Sequence, residues 1–461
     1  MAVRADTGAE FYNYSFWGES VPAPAAFQAT QLVNGASLEI EALREPNDLY
    51  VTNDHYIYII DTGNNRVVII DEQFNLVDTI DSFSHGGKND TFSNPRGVFV
   101  TDEKDVLIAD TGNNRVVHLD QHFNLVKIIE EPKSELLRED FVFQPERVVV
   151  DKANRVYVLA SGVFDGFMEF DIEGEFTTFI GANRVQVDPI EYFWSRVATR
   201  EQRSQMRMFI PTEFSNLDIN DQGFLYATST DGSDDSIKKL NARGTDILRR
   251  EGYFSPVGDI RYEHDLGPSR LTDISVTDSE IYSVLDSRRG RIFTYDGDGH
   301  LMYMFGGLGN RLGTFNTPVA ISWFGEDFLV LDRALGEITV FRTTDYGRTL
   351  TEAVRSYYRG DEEKANDLFE RSVNMNANLN FAYSGIGKAQ LRQGNYNEAM
   401  HNFEQSYDRT NYSKAFLLYR NAVLREHFSA IMTVLMLAAV GTVSFRIYRK
   451  VKWKKRGVSI E

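Results

Sequence analysis

The chain has 461 residues, 42% hydrophobic and 25% charged, which excludes a disordered chain and a polytopic membrane protein. It has no cysteine, so a disulfide framework, a thiolate metal site and a cysteine nucleophile are all excluded. The net charge is −18, with seven basic residues and one acid after residue 445; the acidic remainder would repel phosphate backbones, so no nucleic acid partner is expected.

In chain order, residues 1–10 show no apolar stretch. Val3 and Ala5 stand at the spacing of a small-x-small cleavage site, so this stretch reads as a disordered remnant near the end of a precursor's signal peptide. The next segment, FYNYSFWGE at 11–19, is aromatic and strand-like. The chain carries 32 Phe, 22 Tyr and 4 Trp with only 11 Pro, a composition that favours strands.

An internal repeat organises the first three quarters. YIIDTGNNRVVIID at 58–71 returns as LIADTGNNRVVHLD at 107–120, and the same offset maps Pro46 onto Pro95. A third copy starts at Pro145, and weaker copies lie at 217–229, 274–296 and 321–341. Each reads as four short strands, A to D, which is the pattern of a propeller blade. The IADTGNNRVV stretch resembles NHL-repeat β-propellers, and the resemblance covers about residues 45–345. It implies six blades and a ring closed by pairing the chain's two ends. Segment 11–19 is expected to supply the outer strand of the last blade, because a closed ring leaves no weak edge. Blades three, four and six depart from the pattern; blade three has Ala160 and blade four Thr228 or Ser229 where blade two has Asp110.

Three Asp–Arg pairs recur at one spacing: Asp61/Arg66, Asp110/Arg115 and Asp286/Arg291. A feature repeated blade after blade reads as architecture that ties the B–C turn, rather than as a ligand site. The starts of the A strands are different: Asp48, Arg96, Arg147, Asn216 and Asp273 are polar and dissimilar. They are expected at the channel mouth, either as ligand groups or as a solvated rim. The long insertions 81–94, 131–144, 181–213, 251–270 and 306–317 fall on the same face, which is therefore expected to be the working face. The largest includes a helix-like stretch at 190–209, suited to a lid or docking surface or to packing on its own blade.

Catalytic patterns are absent from the sequence. It has no G-x-S-x-G elbow and no H-E-x-x-H helix. His118 and His122 flank a turn and read as two exposed polar residues. Asp296-Gly-Asp298-Gly begins like a calcium loop, but Gly307 occupies the twelfth position, so it reads as a hairpin turn. No cofactor is expected. Six-bladed propellers include gluconolactonase-like enzymes, and that resemblance would place a divalent metal among Asp48, Asn216 and Asp273. Whether a metal sits there is left open, and a metal-dependent lactonase or lyase stands as the alternative to a binding role.

From about 346 the period becomes helical. Ala353, Gly360, Ala365 and Phe369 recur 34 residues on as Gly387, Gly394, Ala399 and Phe403. GKAQLRQGNYNEAMHNF resembles a tetratricopeptide repeat, which implies two repeats over 346–427 with Gly387 at a tight helix crossing. The family's partner groove would fall on Tyr357, Tyr358, Lys388, Leu391 and Arg392, or the module is a rigid spacer. Phe428–Phe445 is an 18-residue run without charge, about 27 Å as a helix, and is expected to span a membrane. The cations of 446–461 place the C-terminus in the cytoplasm and residues 1–427 outside; insertion as a tail-anchored chain is the alternative.

The expected protein is thus mainly β: a six-bladed propeller, a helical module and one transmembrane helix. Chains of this plan resemble bacterial surface proteins thought to accompany sugar transporters. That implies a membrane-anchored extracytoplasmic binding or scaffold protein with protein partners at the membrane, and a small-molecule or carbohydrate ligand.

Overall fold

The computed structural model describes residues 11–134, 136–137, 141–181, 213–262 and 266–455. The chain forms two compact units, Met1–Leu379 and Asn380–Glu461. The helix-like stretch at 190–209 lies outside the described residues.

The first unit is a six-bladed β-propeller. Blade one is built from Asp48–Val51, Ile57–Asp61, Arg66–Ile70 and Leu76–Ile80, paired antiparallel in chain order. Blade two is Gly97–Val100, Val106–Asp110, Arg115–Leu119 and Leu125–Ile129. Blade three runs from Pro145–Val150 to Phe176–Gly181, and blade five from Leu271–Val276 to Leu301–Gly306. Blade four has three strands, Phe214–Ile219, Leu225–Ser229 and Ile237–Leu240, with a single bridge from Leu240 to Asp246 at its outer edge. Strand B there ends at Ser229, which decides between the two positions left open by the sequence. The B strands are buried, save Asp327 at the start of the one in blade six, because both faces of each inner strand meet neighbouring blades.

Blade six is Pro318–Phe324, Asp327–Asp332 and Glu337–Thr343, closed by Phe27–Asn34. The closing strand is therefore not 11–19. Segment 11–19 instead starts a separate hairpin, Tyr12–Tyr14 with Ser20–Pro22, turned through Gly18 at φ +72°. The reason is length and pattern. Phe27–Asn34 offers eight residues with Phe27 and Val33 buried, enough to register along all of Glu337–Thr343. Tyr12 and Tyr14 pack against blade five, and both hydroxyls donate to the buried Asp259.

The repeated aspartates are structural ties. Asp61 Oδ1 accepts the Arg44 N–H at 2.7 Å, while Oδ2 accepts Arg66 Nε at 2.7 Å and Asn64 Nδ2 at 2.8 Å. Asp110 repeats this with Ser93, Arg115 and Asn113. Each fastens the end of strand B to the chain entering strand A, and Asn65 and Asn114 follow in the left-handed conformation that asparagine tolerates. The third pair is different: Asp286 is held by Arg289 at 3.0 Å and Ser269 at 2.7 Å, and Arg291 turns to Asp259 at 2.7 Å. Both carboxylates are buried, so burial does not decide the exchange; Asp286 is already filled by the Ser269 hydroxyl, the Arg270 and Arg288 N–H groups and Arg289.

Two helices complete the first unit: α1, Asp345–Arg359, and α2, Glu362–Met375. They belong with the propeller rather than with the later helices. Thr344 caps α1 and donates to Ala25 and Ala26 carbonyls, a Cβ on Gly347 would lie 2.2 Å from the Ala26 oxygen, and Tyr303 and Thr351 hydroxyls meet at 2.9 Å.

The second unit holds α3, Asn380–Gln393, α4, Tyr396–Gln405, α5, Arg409–Glu426, and α6, Phe428–Lys455. A Cβ on Gly387 would meet the Phe403 ring at 2.8 Å, so glycine there permits the close α3–α4 crossing. Ala399, Phe403 and Ala415 form the small core. Phe428–Trp453 is long and apolar enough to cross a membrane, and none of it is buried within the chain.

Candidate functional site in the central channel

The A strands surround the propeller axis, and their inner edges face a cavity of about 600 Å³. An unpaired strand edge leaves backbone N–H groups without partners. Carboxylates from the preceding blade satisfy them. Asp48 Oδ2 accepts Val98 N–H at 3.0 Å, Asp218 Oδ2 accepts Val276 N–H at 2.8 Å, and Asp273 Oδ2 accepts Ile321 N–H at 2.5 Å. Asn216 Nδ2 donates to the other oxygen of Asp273. Arg147 crosses the axis: Nη1 donates to the Arg96 carbonyl at 2.7 Å and the Glu146 carbonyl at 2.8 Å, and Nη2 to the Asn47 carbonyl at 3.2 Å. Arg333 reaches Asn47 Oδ1 at 2.8 Å beside it.

Four of the five residues expected at the mouth therefore line the closed end of the cavity. Asp48, Asn216 and Asp273 are buried, and Arg147 is nearly so. Arg96 is half-exposed, outside the cavity, in an ion pair with Glu146 at 2.7 Å. Asn216 and Asp273 do come together, as the metal-binding reading required, but their facing atoms bond to each other and Asp48 is engaged by Val98 and Arg147.

The cavity widens instead toward the short A–B turns, where Thr52–Asn53, Asp102–Glu103, Asp151–Lys152, Asn220–Asp221 and Asp278 line it. The expected working face was the insertion-bearing one; the cavity lies at the other. The physical reason is Arg147, which bridges three carbonyls at the insertion-bearing end and closes it. Arg355 of α1 also reaches the lining.

Eight acidic and three basic side chains line the cavity, and the field is correspondingly negative. Burial pushes Asp218 up to about 7 despite the two backbone N–H groups it accepts. Burial and then the charge of Asp48 hold Asp273 well above the usual carboxylate range. Asp278 is raised by burial and by the adjacent Asp221 carboxyl, with which it shares a hydrogen bond. Burial, then the charges of Asp218, Asp102, Asp221 and Asp278, push the Tyr50 hydroxyl well above its ordinary value. Tyr50 packs against Phe99 with ring centroids 4.9 Å apart. Among the described residues, three donors on side chains of these lining residues lack acceptors, Arg147 Nε, Asn220 Nδ2 and Trp323 Nε1, and all three atoms are shielded from the cavity itself. None of Tyr50, Asp218, Asn220 and Trp323 stood out in the sequence; Tyr50, Asp218 and Trp323 lie in A strands and Asn220 in the A–B turn of blade four.

Elsewhere, Asp296, Asp298 and His300 bring ligating atoms within 4.8 Å of one another. They form the hairpin turn expected there: Asp296 accepts the Asp298 and His300 N–H groups and contacts His300 Nδ1 at 3.0 Å, while Asp298 pairs with Arg249 at 2.8 Å. His118 is not an exposed residue, since its Nε2 bonds Asp105 at 2.8 Å in a half-buried position. The five partner-groove residues divide between the units. In the first, Tyr358 sets its hydroxyl against the blade-five turn, 3.0 Å from where a Cβ at Gly297 would lie, and Tyr357 meets it edge-to-face at 5.4 Å. In the second, Leu391 packs on the α4 core, Lys388 is half-buried near Asp408, and Arg392 is exposed.

The NHL repeat family matches residues 92–119, which is the first three strands of blade two and the end of the loop before them. No curated protein sequence matches the chain. Among solved structures, virginiamycin B lyase from Staphylococcus aureus is 10% identical with a TM-score of 0.43, covering 69% of this chain and 100% of its own. A Bacteroides thetaiotaomicron protein of unknown function is 12% identical with a TM-score of 0.41, covering 72% and 75%. A putative gluconolactonase is 13% identical with a TM-score of 0.42, covering 70% and 94%.

Proposed function

We propose that this chain is a membrane-anchored extracytoplasmic binding protein whose propeller channel receives a small polar ligand. The observation that carries the reading is the channel itself: closed by Arg147 at one end, open at the A–B turns, and lined by polar and acidic side chains. The uncovered apolar helix α6 anchors the chain, and the cations after residue 445 support a cytoplasmic C-terminus. The 34-residue helical repeat is of tetratricopeptide type in this reading: each hairpin buries the same alanine and phenylalanine, and the helices would meet protein partners at the membrane.

Because the chain has no cysteine, single introduced thiols report topology cleanly. Ser84→Cys, in an exposed hairpin, should react with a membrane-impermeant maleimide on intact cells, and Lys452→Cys only after permeabilisation. The reverse labelling would refute the orientation. For the channel, a thermal-shift screen of small polar solutes on the full chain in detergent should find stabilisation that Tyr50→Leu abolishes. Stabilisation that persists in Tyr50→Leu would place binding elsewhere.

A further inference from the structure

The outer side of α5 carries an apolar row bordered by cations. Ala415 faces the small core of the second unit, with Tyr412 packed beside it. On the opposite side Leu417 and Leu424, two helical turns apart, form one row, and each is 48% exposed. The helical period sets Arg420 along one border of this row and Lys414 and Arg425 along the other. With Arg409, α5 has four basic residues against the single acid Glu426. All are exposed, and none of the four cations enters an ion pair among the described residues. The end helix of a repeat array ordinarily turns a polar face outward, so an exposed apolar row there marks a contact surface.

The row leads into the span. His427 alone separates α5 from α6; its N–H bonds the Val423 carbonyl at 3.0 Å, and its carbonyl accepts the Ile431 N–H at 2.9 Å. The helical period therefore carries through the junction, and Phe428, Ile431 and Leu435, all exposed, extend the row. Lipid does not reach its outer part: Leu417 stands about 16 Å along the helix before Phe428, whereas a headgroup layer is roughly 6 Å deep. A second copy does not suit the row either, because the spans of two copies run parallel and would set Arg420 and Arg425 of one against those of the other. A helix with aspartate or glutamate beside its own apolar row answers these cations, and the continuity with α6 requires that it too enter the membrane.

We propose that the row of Leu417 and Leu424 docks an acidic amphipathic helix that leads into the membrane span of a different protein. This rests on the reading that the helices meet protein partners at the membrane, and it names the surface and the partner's chemistry.

The test is photocrosslinking in native membranes. The chain has no cysteine, so Leu417→Cys, Leu424→Cys and, as controls, Gln405→Cys on α4 and Arg392→Cys on α3 each carry one benzophenone maleimide. Adducts from Leu417→Cys and Leu424→Cys are expected, with the linked peptide, mapped by mass spectrometry, lying in an acidic segment that adjoins a span of another protein. Their yield should exceed that of Gln405→Cys at least tenfold and fall at least fivefold when Arg420→Glu and Arg425→Glu are added, both exposed changes that leave the core intact. Adducts with a second copy, with lipid only, or with a peptide that has no excess of acid or adjoins no span each overturn the proposal, as does a yield unmoved by the charge reversal or the absence of adducts. Protein adducts from Arg392→Cys alone would overturn this surface while leaving a membrane partner in place.

Discussion

The two ends of the propeller channel are built from the same strands and have opposite characters. At the insertion-bearing end, polar side chains are spent on the scaffold: Arg147 spans three carbonyls, and Asp48 and Asp273 clasp the next blade. At the A–B end, the carboxylates outnumber the cations, and Asp102, Glu103, Asp221 and Asp278 make no such clasp to a neighbouring inner strand among the described contacts. A polar residue near a propeller axis is therefore not a site by position alone. What distinguishes the two ends is whether the chain itself uses the polar atoms.

The largest expected effect comes from breaking the closed end. Arg147→Ala removes a nearly buried guanidinium and strands the Asn47, Glu146 and Arg96 carbonyls; a loss of about 3–5 kcal/mol in urea-unfolding stability is expected. A loss under about 1 kcal/mol would show that the plug is not structural. Next is Asp110→Ala in blade two, expected to cost about 3 kcal/mol because Arg115, Asn113 and the Ser93 N–H lose their common acceptor. The same measurement on Ser229→Ala, at the corresponding end of strand B in blade four, should cost less than half as much, since Ser229 Oγ bonds only Asp231 nearby.

A pH dependence sharpens the comparison further. With Asp218 at about 7 in the folded chain against an ordinary carboxylate when unfolded, the native state holds a proton that the unfolded state has lost between pH 4 and 7. Asp218 should therefore contribute a fall in stability as pH rises through that window, of at most about 1.4 kcal/mol per pH unit, and Asp218→Asn should remove that part of the slope. Unfolding curves at pH 5 and pH 8 decide this; an unchanged slope in the variant would remove Asp218 as its source. The smallest effect is expected at the open rim, where Lys152→Ala should change stability by less than about 0.5 kcal/mol.

The sequence alone determined what local repetition can encode. The 49-residue repeat, the DTGNN turns and the period change near 346 specify blades and helices because each element's pattern is carried by its own residues. The 18-residue apolar run likewise specifies a candidate span without reference to the rest of the chain. Tertiary structure decided everything that depends on which elements meet. It chose Phe27–Asn34 over residues 11–19 to close the ring, sent Arg291 to Asp259 instead of Asp286, and set α1 and α2 against the propeller. It also turned the dissimilar residues at the starts of the A strands from a mouth into a plug. Backbone groups along an inner strand edge must find partners, and which side chains supply them depends on the neighbouring blade, some 50 residues away in sequence.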